Sequence, residues 1–213
     1  MQMEIRLYEP RDRVAVREVC RATAYADNGD ALLDPRLFVD LMTRAWTDFG
    51  AGPLWVVERE GTVEGYLAGC FDRRRFARIQ VLQVFPPAVA RALAGGLLFR
   101  FALWRLLACL PRFIAASRGG LRLDGFPCEL HINLRPPVRG RKLGTQLVEL
   151  FLKEMARREM PGVRATVYED NEPARLFFEH LGFRPLGRRP AFRPPPAKGR
   201  SEWKIVYGRR INP

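Results

Sequence analysis

Residues 132–145 read INLRPPVRGRKLGT. A run of β-forming residues, Cys128 to Leu134, stops at two prolines, and a loop of basic and glycine residues then leads into a helix that we predict from Lys142 to Arg158. The first N–H groups of a helix have no partner inside the helix, and the helix dipole adds about half a positive charge at that end. Because glycines also let an anion approach the backbone closely, this stretch is typical of a phosphate-binding site.

The same loop carries positive side chains of its own, Arg139, Arg141 and Lys142. It contains neither the Gly-Lys-Ser/Thr sequence of P-loop proteins nor the Gly-x-Gly-x-x-Gly sequence of dinucleotide-binding proteins. Taken alone, the loop therefore also fits a basic helix cap in an ordinary strand-to-helix connection.

A second patterned stretch follows, since residues 171–183 read NEPARLFFEHLGF. Together the two stretches resemble the GNAT superfamily of acyl-CoA N-acyltransferases. That family has a loop pattern of Arg/Gln-x-x-Gly-x-Gly/Ala, and residues 139–144 read RGRKLG, with Lys142 where the inner glycine is usual. The second stretch matches the family pattern Asn-x-x-Ala-x-x-Phe/Tyr-Tyr/Phe-x-x-x-Gly-Phe.

The resemblance covers Glu129 to Phe183, extends in outline over Glu4 to Cys70 and is absent from Asp72 to Gly120. Strands cluster early in the chain and later alternate with helices, which predicts a layered α/β fold with one central sheet. The resemblance implies that this sheet is mixed, mostly antiparallel and flanked by helices. We predict a single domain over residues 1–213, with a helical insert at 72–120 between the third and fourth strands. The predicted strands are Glu4 to Tyr8, Leu54 to Glu58, Val63 to Cys70, Cys128 to Leu134, Val163 to Val167, Phe183 to Leu186 and Glu202 to Tyr207.

We predict that Pro86-Pro87 and Pro111 break the helices of the insert. The insert also contains an apolar run, Ala88 to Ala116, that raises the question of a membrane span. Four arginines interrupt it, so no part approaches the roughly 20 apolar residues that a spanning helix needs. We predict a helix packed on the protein, with an interfacial amphipathic helix as the alternative. Such an insert could form a lid or a wall of an acceptor pocket.

For the coenzyme, the GNAT resemblance implies acetyl-CoA, or another acyl-CoA, as the co-substrate of an N-acetyltransferase. Its amine acceptor would attack the thioester directly in a ternary complex. The strand backbone before the loop would hold the pantetheine arm as a pseudo-strand, the loop would hold the pyrophosphate, and Asn171 would lie beside the pantetheine. The expected coenzyme-binding residues are Ile132, Asn133, Leu134, Arg139, Gly140, Arg141, Lys142, Leu143, Gly144, Thr145, Asn171 and Phe178.

The catalytic groups are less directly implied. Many family members protonate the leaving thiolate with a tyrosine in the second motif, but this chain has Phe178 there, which cannot donate a proton. A base that some members carry on the strand before Asn171 would fall near Thr166, which is not a base.

The strand Cys128 to Leu134 offers other candidates for the catalytic base, because successive side chains of a strand point to opposite faces. This alternation places Glu129, His131 and Asn133 on one face of a strand that should be buried on both. We predict that His131 acts as the base, with Glu129 orienting it or relaying a proton through water. The alternatives are a satisfied hydrogen-bond network in the core and a polar face in contact with solvent.

The loop between the first two predicted helices carries Asp27, Asn28 and Asp30. GNAT folds tend to build the acceptor site in this region, and carboxylates there would suit a cationic amine. We therefore expect these residues to bind a small-molecule amine, although a solvated turn also fits. An acetyltransferase that acts on a protein, and a non-catalytic acyl-CoA-binding or interaction module, are the other functions considered. A homodimer is also compatible with the sequence.

Composition narrows the class of protein further. The formal net charge of +13 comes mainly from arginines scattered along the whole chain, which favours an anionic cofactor over a nucleic acid or a peripheral membrane surface as the partner. Four cysteines without a Cys-x-x-Cys pair, together with only two histidines, argue against a metal site. Free thiols and the lack of an apolar leader after Met1 lead us to expect a cytoplasmic protein.

Overall fold

The computed structural model describes residues 3–25, 35–94, 121, 123–191, 201 and 203–211. Within these residues, seven strands form one sheet in the order β1-β2-β3-β4-β5-β7-β6. Every neighbouring pair is antiparallel except β4 and β5, which are parallel. The predicted layered α/β fold with a mostly antiparallel sheet is confirmed. The strands are β1 Met3–Leu7, β2 Leu54–Arg59, β3 Thr62–Cys70, β4 Cys128–Leu134, β5 Gly162–Tyr168, β6 Arg184–Pro190 and β7 Trp203–Arg210.

The helices lie on both faces of this sheet. On one face, α5 supplies Leu147, Phe151 and Met155 to a core shared with β4 and β5. On the other face, residues of α1 and α2 pack on β2 and β3. The helices are α1 Arg13–Cys20, α2 Pro35–Thr47, α3 Arg73–Ile79, α4 Phe85–Ala94, α5 Leu143–Arg157 and α6 Glu172–His180.

The insert between β3 and β4 is helical as far as the structure describes it. A π-helical turn at Gln80–Val84 joins α3 to α4, so that residues 73–94 continue without the break expected at Pro86 and Pro87. Both prolines instead lie in the first turn of α4, where the missing proline N–H is tolerated best. In the described residues no helix has the length and hydropathy needed to cross a membrane.

A glycine on β3 sets how closely α5 packs on the sheet. A Cβ added to Gly69 would lie 2.2 Å from the ring of Phe151, which is fully buried. Only a residue without a side chain therefore lets α5 sit this low over β3 and β4. This packing holds the N-terminal end of α5 beside the end of β4.

Candidate functional site

The parallel strands β4 and β5 separate after a short contact. They pair only at Cys128–Val163 and Glu129–Arg164, although β4 continues to Leu134 and β5 to Tyr168. The two strand edges beyond these pairs border a gap in the middle of the sheet. An open edge of this kind presents backbone groups with which an extended ligand can pair as an additional strand.

The register of β4 shows which of its backbone groups face the gap. The N–H of Arg135 donates to the carbonyl of Glu64 at 2.9 Å, in the same register that pairs Leu134 with Gly65. Because backbone direction alternates along a strand, Ile132 and Leu134 present their N–H and C=O groups to the gap. The Leu134 carbonyl accepts a hydrogen bond from Arg139 Nε at 2.8 Å, so the Leu134 N–H is the free group closest to the loop.

The loop after β4 has the form of an anion site. Pro136–Val138 forms a 3-10 turn, Gly140 has a φ of +72°, and Lys142 has a φ of 59° as the N-cap of α5. The Lys142 side chain has no acceptor atom and makes no cap, so it accepts no hydrogen bond from the first N–H groups of α5. Within the described part of the chain, Arg139 and Arg141 are exposed and have no carboxylate within 4.0 Å. Positive charge and free backbone donors therefore converge at this helix end.

Gly144 brings α5, α6 and β4 together at the same place. A Cβ on Gly144 would lie 3.2 Å from the Phe177 ring and 3.3 Å from Leu134 Cδ1. Asn171 is the N-cap of α6, and its Oδ1 accepts from the N–H of Ala174 at 3.1 Å. The first turn of α5, the end of β4 and Phe177 of α6 therefore lie together.

Phe178 lies elsewhere. It is 5% exposed and packs in the core against Phe177, Phe183 and Tyr207. The structure therefore gives Phe178 a packing role, and the adjacent Phe177 is the aromatic residue that contacts the glycine of the loop.

His131 belongs to a hydrogen-bonded cluster between β4, β3 and α1. Asn133 Nδ2 lies 2.7 Å from His131 Nε2 and donates to the Tyr66 hydroxyl at 2.8 Å. Tyr66 also packs in the same buried cluster as Cys20 of α1. The pairing of Tyr66 with Asn133 and of Ala68 with His131 across β3 and β4 brings these groups together.

The surroundings keep His131 neutral. Burial, and after it the positive charge of Lys204, lower the pKa of His131 from 6.5 to about 4, while Glu129 acts in the opposite direction. At pH 7 the imidazole is therefore uncharged. With the Asn133 amide donating, Nε2 accepts and the proton lies on Nδ1. The same heavy-atom positions also accommodate the reversed amide, in which Asn133 Oδ1 accepts from Nε2–H and the lone pair of Nδ1 is free.

Glu129 is engaged by a buried arginine. Its Oε2 accepts hydrogen bonds from Arg164 Nη2 at 2.7 Å and from Arg164 Nε at 3.2 Å. The Arg164 side chain is 2% exposed and that of Glu129 is 44% exposed. Glu129 therefore influences His131 through its charge or through water, because its hydrogen bonds are made to Arg164.

Comparison with known proteins agrees with this geometry. Residues 113–183 match the acetyltransferase (GNAT) family. The match covers 71 of the 213 residues, so this third of the chain is similar in sequence to the GNAT family.

Solved structures show the same fold. The crystal structure of SsHAT has a TM-score of 0.71 and 23% identity, with all of both chains covered. An N-acetyltransferase from Staphylococcus aureus Mu50 has a TM-score of 0.59 and 12% identity, also with all of both chains covered. YncA from Salmonella typhimurium, solved with its cofactor acetyl-CoA, has a TM-score of 0.55 and 16% identity over 99% of this chain and 94% of that one.

Some of the residues predicted to bind the acceptor are not placed by the structure. Asp27, Asn28 and Asp30 lie outside the described residues, as do residues 95–120 of the insert. Among the residues that are described, no group of three or more His, Cys, Asp or Glu side chains could hold a metal ion.

Sequence reasoning missed the partners of the polar strand face. Tyr66 supports Asn133 from β3, and Arg164 binds Glu129 from β5. Lys204 on β7 lies close enough to His131 to lower its pKa. Only the pairing of β3 with β4 could have been anticipated, by extending the register of the predicted strands to set Tyr66 beside Asn133.

Proposed function

We propose that this protein is an N-acyltransferase, in the simplest case an N-acetyltransferase, that moves an acyl group from acyl-CoA to a primary amine of a small molecule. One observation carries the proposal. The free edge of β4 leads straight into a basic loop at the N-terminus of α5. Coenzyme A has the two features that such a site would bind. Its extended pantetheine arm, which carries the thioester, would lie along the strand edge, and its pyrophosphate would lie at the helix end.

In this proposal the coenzyme is bound in two parts. The pantetheine amides would pair with Ile132 and Leu134, whose backbone groups face the gap, beside Asn133 and Asn171. The pyrophosphate would accept hydrogen bonds from the backbone of the loop, which runs through Gly140, Lys142, Leu143, Gly144 and Thr145, and ion-pair with Arg139 and Arg141.

The chemistry would be a direct attack. The amine nitrogen forms a bond to the thioester carbon, and the carbonyl oxygen becomes an oxyanion that the N–H of Leu134 is placed to stabilise. The proton lost by the amine passes to the neutral imidazole of His131, at Nδ1 when Asn133 accepts from Nε2–H. The carbon–sulfur bond then breaks and the coenzyme A thiolate leaves. It would take up, through water, the proton held by the His131 imidazolium, which returns the imidazole to its neutral form. Glu129 would stabilise the imidazolium through its charge or through water.

Calorimetric titration with acetyl-CoA and with CoA tests the coenzyme site. Saturable binding of both is expected, and Gly144→Glu should abolish it, because the new carboxylate repels phosphate beside Phe177 and Leu134. Since those contacts also make Gly144→Glu a packing change, Arg139→Ala serves as a milder variant, expected to weaken binding about 5- to 20-fold. Arg11→Ala removes the same charge from an exposed position on the first 3-10 turn and should bind normally. A folded wild-type protein that binds neither ligand would rule the proposal out.

A non-catalytic acyl-CoA-binding module remains the second candidate. Phe178 carries no hydroxyl and is buried in the core, and in one orientation of the Asn133 amide the basic nitrogen of His131 is already occupied. Release of the CoA thiol in the presence of amines separates the two functions. Binding without amine-dependent thiol release would favour the module. Full turnover by His131→Ala would remove His131 as the base and leave the coenzyme site standing.

A further inference from the structure

The face of the sheet that carries His131 continues across the gap onto three more strands. Arg164 lies on this face, because it binds Glu129, and alternation along β5 places Thr166 and Tyr168 there as well. The register then pairs Tyr168 with Lys204, and Lys204 with Arg189, which puts these side chains on the same face. Thr166 is exposed, so this part of the face is open to a ligand.

The open face has more positive than negative charge. Lys204 Nζ lies 4.2 Å from the centre of the Tyr168 ring, which fixes the ammonium group over the end of β5. In the described part of the chain, neither Lys204 nor Arg189 has a carboxylate within 4.0 Å. The nearby Glu169 is already bound by Arg188 and Ser201. Two cations on this face are therefore uncompensated.

The apex of the gap adds a third cationic group. Arg164 is almost fully buried and uses Nε and Nη2 for Glu129, while its Nη1 is buried without a hydrogen-bond partner. Burial and the charge of Arg164 lower the pKa of Arg189, and Lys204 lowers that of His131. The strand register places these four groups on one face of the sheet, around the gap.

The coenzyme does not account for these cations. The basic loop that would hold its pyrophosphate opens at the N-terminus of α5, which packs on the opposite face of the sheet. Lys204 and Arg189 instead lie on the face of α1 and Tyr66, from which an amine would reach His131. Lys204 and Arg189 are half-buried, so a ligand that supplies a negative charge would be favoured beside them.

We infer that the acceptor is an amine that also carries a carboxylate, and that Lys204 and Arg189 bind this carboxylate while the amine points toward His131. This inference rests on the proposed N-acyltransferase function and narrows its substrate class to amino acids and related amino carboxylates. One charge-assisted contact of this kind contributes about 10- to 100-fold in kcat/KM. An amide in place of the carboxylate keeps the shape and loses the charge.

The test uses matched pairs of acceptors with acetyl-CoA and follows release of the CoA thiol. Suitable pairs are glycine and glycinamide, β-alanine and β-alaninamide, and L-phenylalanine and L-phenylalaninamide. Rates are compared at equal concentrations of the unprotonated amine, because an amide lowers the pKa of its neighbouring amine. The wild-type protein should prefer the carboxylate member of at least one pair by about tenfold or more.

Two variants assign that preference to the site. Lys204→Met removes the charge and keeps the apolar stem over Tyr168, so it should lower kcat/KM for the carboxylate member about 5- to 50-fold more than for the amide member. Any effect of Lys204 on the pKa of His131 is common to both members and cancels in this ratio. Lys153→Met removes the same charge from an exposed position on α5, on the other face of the sheet, and should change neither.

Two outcomes would overturn the inference and leave the N-acyltransferase function intact. One is equal or better turnover of the amide members, and the other is a Lys204→Met variant that slows both members of a pair equally. A protein that binds acetyl-CoA but acetylates no member of any pair would instead contradict the small-molecule acyltransferase function on which the inference depends.

Discussion

Acidification should destabilise the protein through His131, and His131→Gln should remove that part of the pH dependence. In the folded protein, burial and Lys204 hold the pKa of His131 at about 4, whereas an unfolded chain has an ordinary histidine pKa near 6.5. Between these values the unfolded state binds a proton that the folded state does not. The stabilisation is therefore fully present above pH 6.5 and is lost as the pH falls toward 4.

The size of the effect follows from the two pKa values. At pH 5 the unfolded imidazole is almost fully protonated and the folded one is almost fully neutral, so the free energy of unfolding falls by about 2 kcal/mol relative to pH 7. A folded pKa one unit higher or lower changes this figure by only a few tenths of a kcal/mol, because the unfolded histidine supplies most of the protonation at pH 5.

Urea unfolding at pH 7 and pH 5 measures the loss for three proteins. Carboxylates also titrate in this range, but their contribution is common to all three proteins and cancels in the comparison. Wild type and His180→Gln, which lacks the chain's other histidine at an exposed position of α6, should lose about 2 kcal/mol more than His131→Gln. An equal loss in His131→Gln and wild type would refute the assignment of a buried, neutral imidazole.

Three further variants test the packing and charge around the gap, each by urea unfolding at pH 7. Lys142→Gly should be about 1 kcal/mol more stable than Lys142→Ala, because the φ of 59° at this position strains any residue with a Cβ; equal stabilities would mean that the turn is not left-handed. Gly69→Ala should lower the free energy of unfolding by about 1–3 kcal/mol, because the new Cβ would press on the ring of Phe151. An unchanged free energy of unfolding would show that α5 does not pack this closely on β3. Glu129→Gln should lower the free energy of unfolding by about 2 kcal/mol, because it leaves Arg164 buried without a charged partner. The loss should be smaller than for a fully buried ion pair, because Glu129 is 44% exposed. A stability unchanged by that variant would argue against the ion pair.

Individual strands, helices and loops could be predicted where the residues that determine them are close together in the sequence. The basic loop, β4 and α5 follow from residues within one short stretch, and α5 begins at Leu143, one residue after the predicted start. The expected break at Pro86 and Pro87 was wrong, because a π-helical turn places both prolines at the beginning of α4. Local sequence cannot show that a wider turn upstream will accommodate two residues lacking an N–H.

The candidate site could be predicted only on the coenzyme side. The basic loop is one continuous segment, whereas the proposed acceptor side combines His131, Arg164, Arg189 and Lys204 from four strands. Their proximity depends on the sheet order, in which β7 lies between β5 and β6, and this order leaves no trace in the spacing of residues along the chain. The role assigned to Glu129 changed for the same reason, because its partner Arg164 is contributed by the neighbouring strand.

The unusual lysine of the loop is explained by the same geometry. Lys142 occupies the position where GNAT proteins usually carry glycine, and it adopts the left-handed conformation that glycine reaches without strain. The chain therefore tolerates strain of about 1–2 kcal/mol to place a cation at the N-terminus of α5. A charge held there adds to the free N–H groups of the helix, which is useful only if an anion binds. The lysine thus supports a phosphate-bearing ligand at this loop more strongly than a glycine at the same position would.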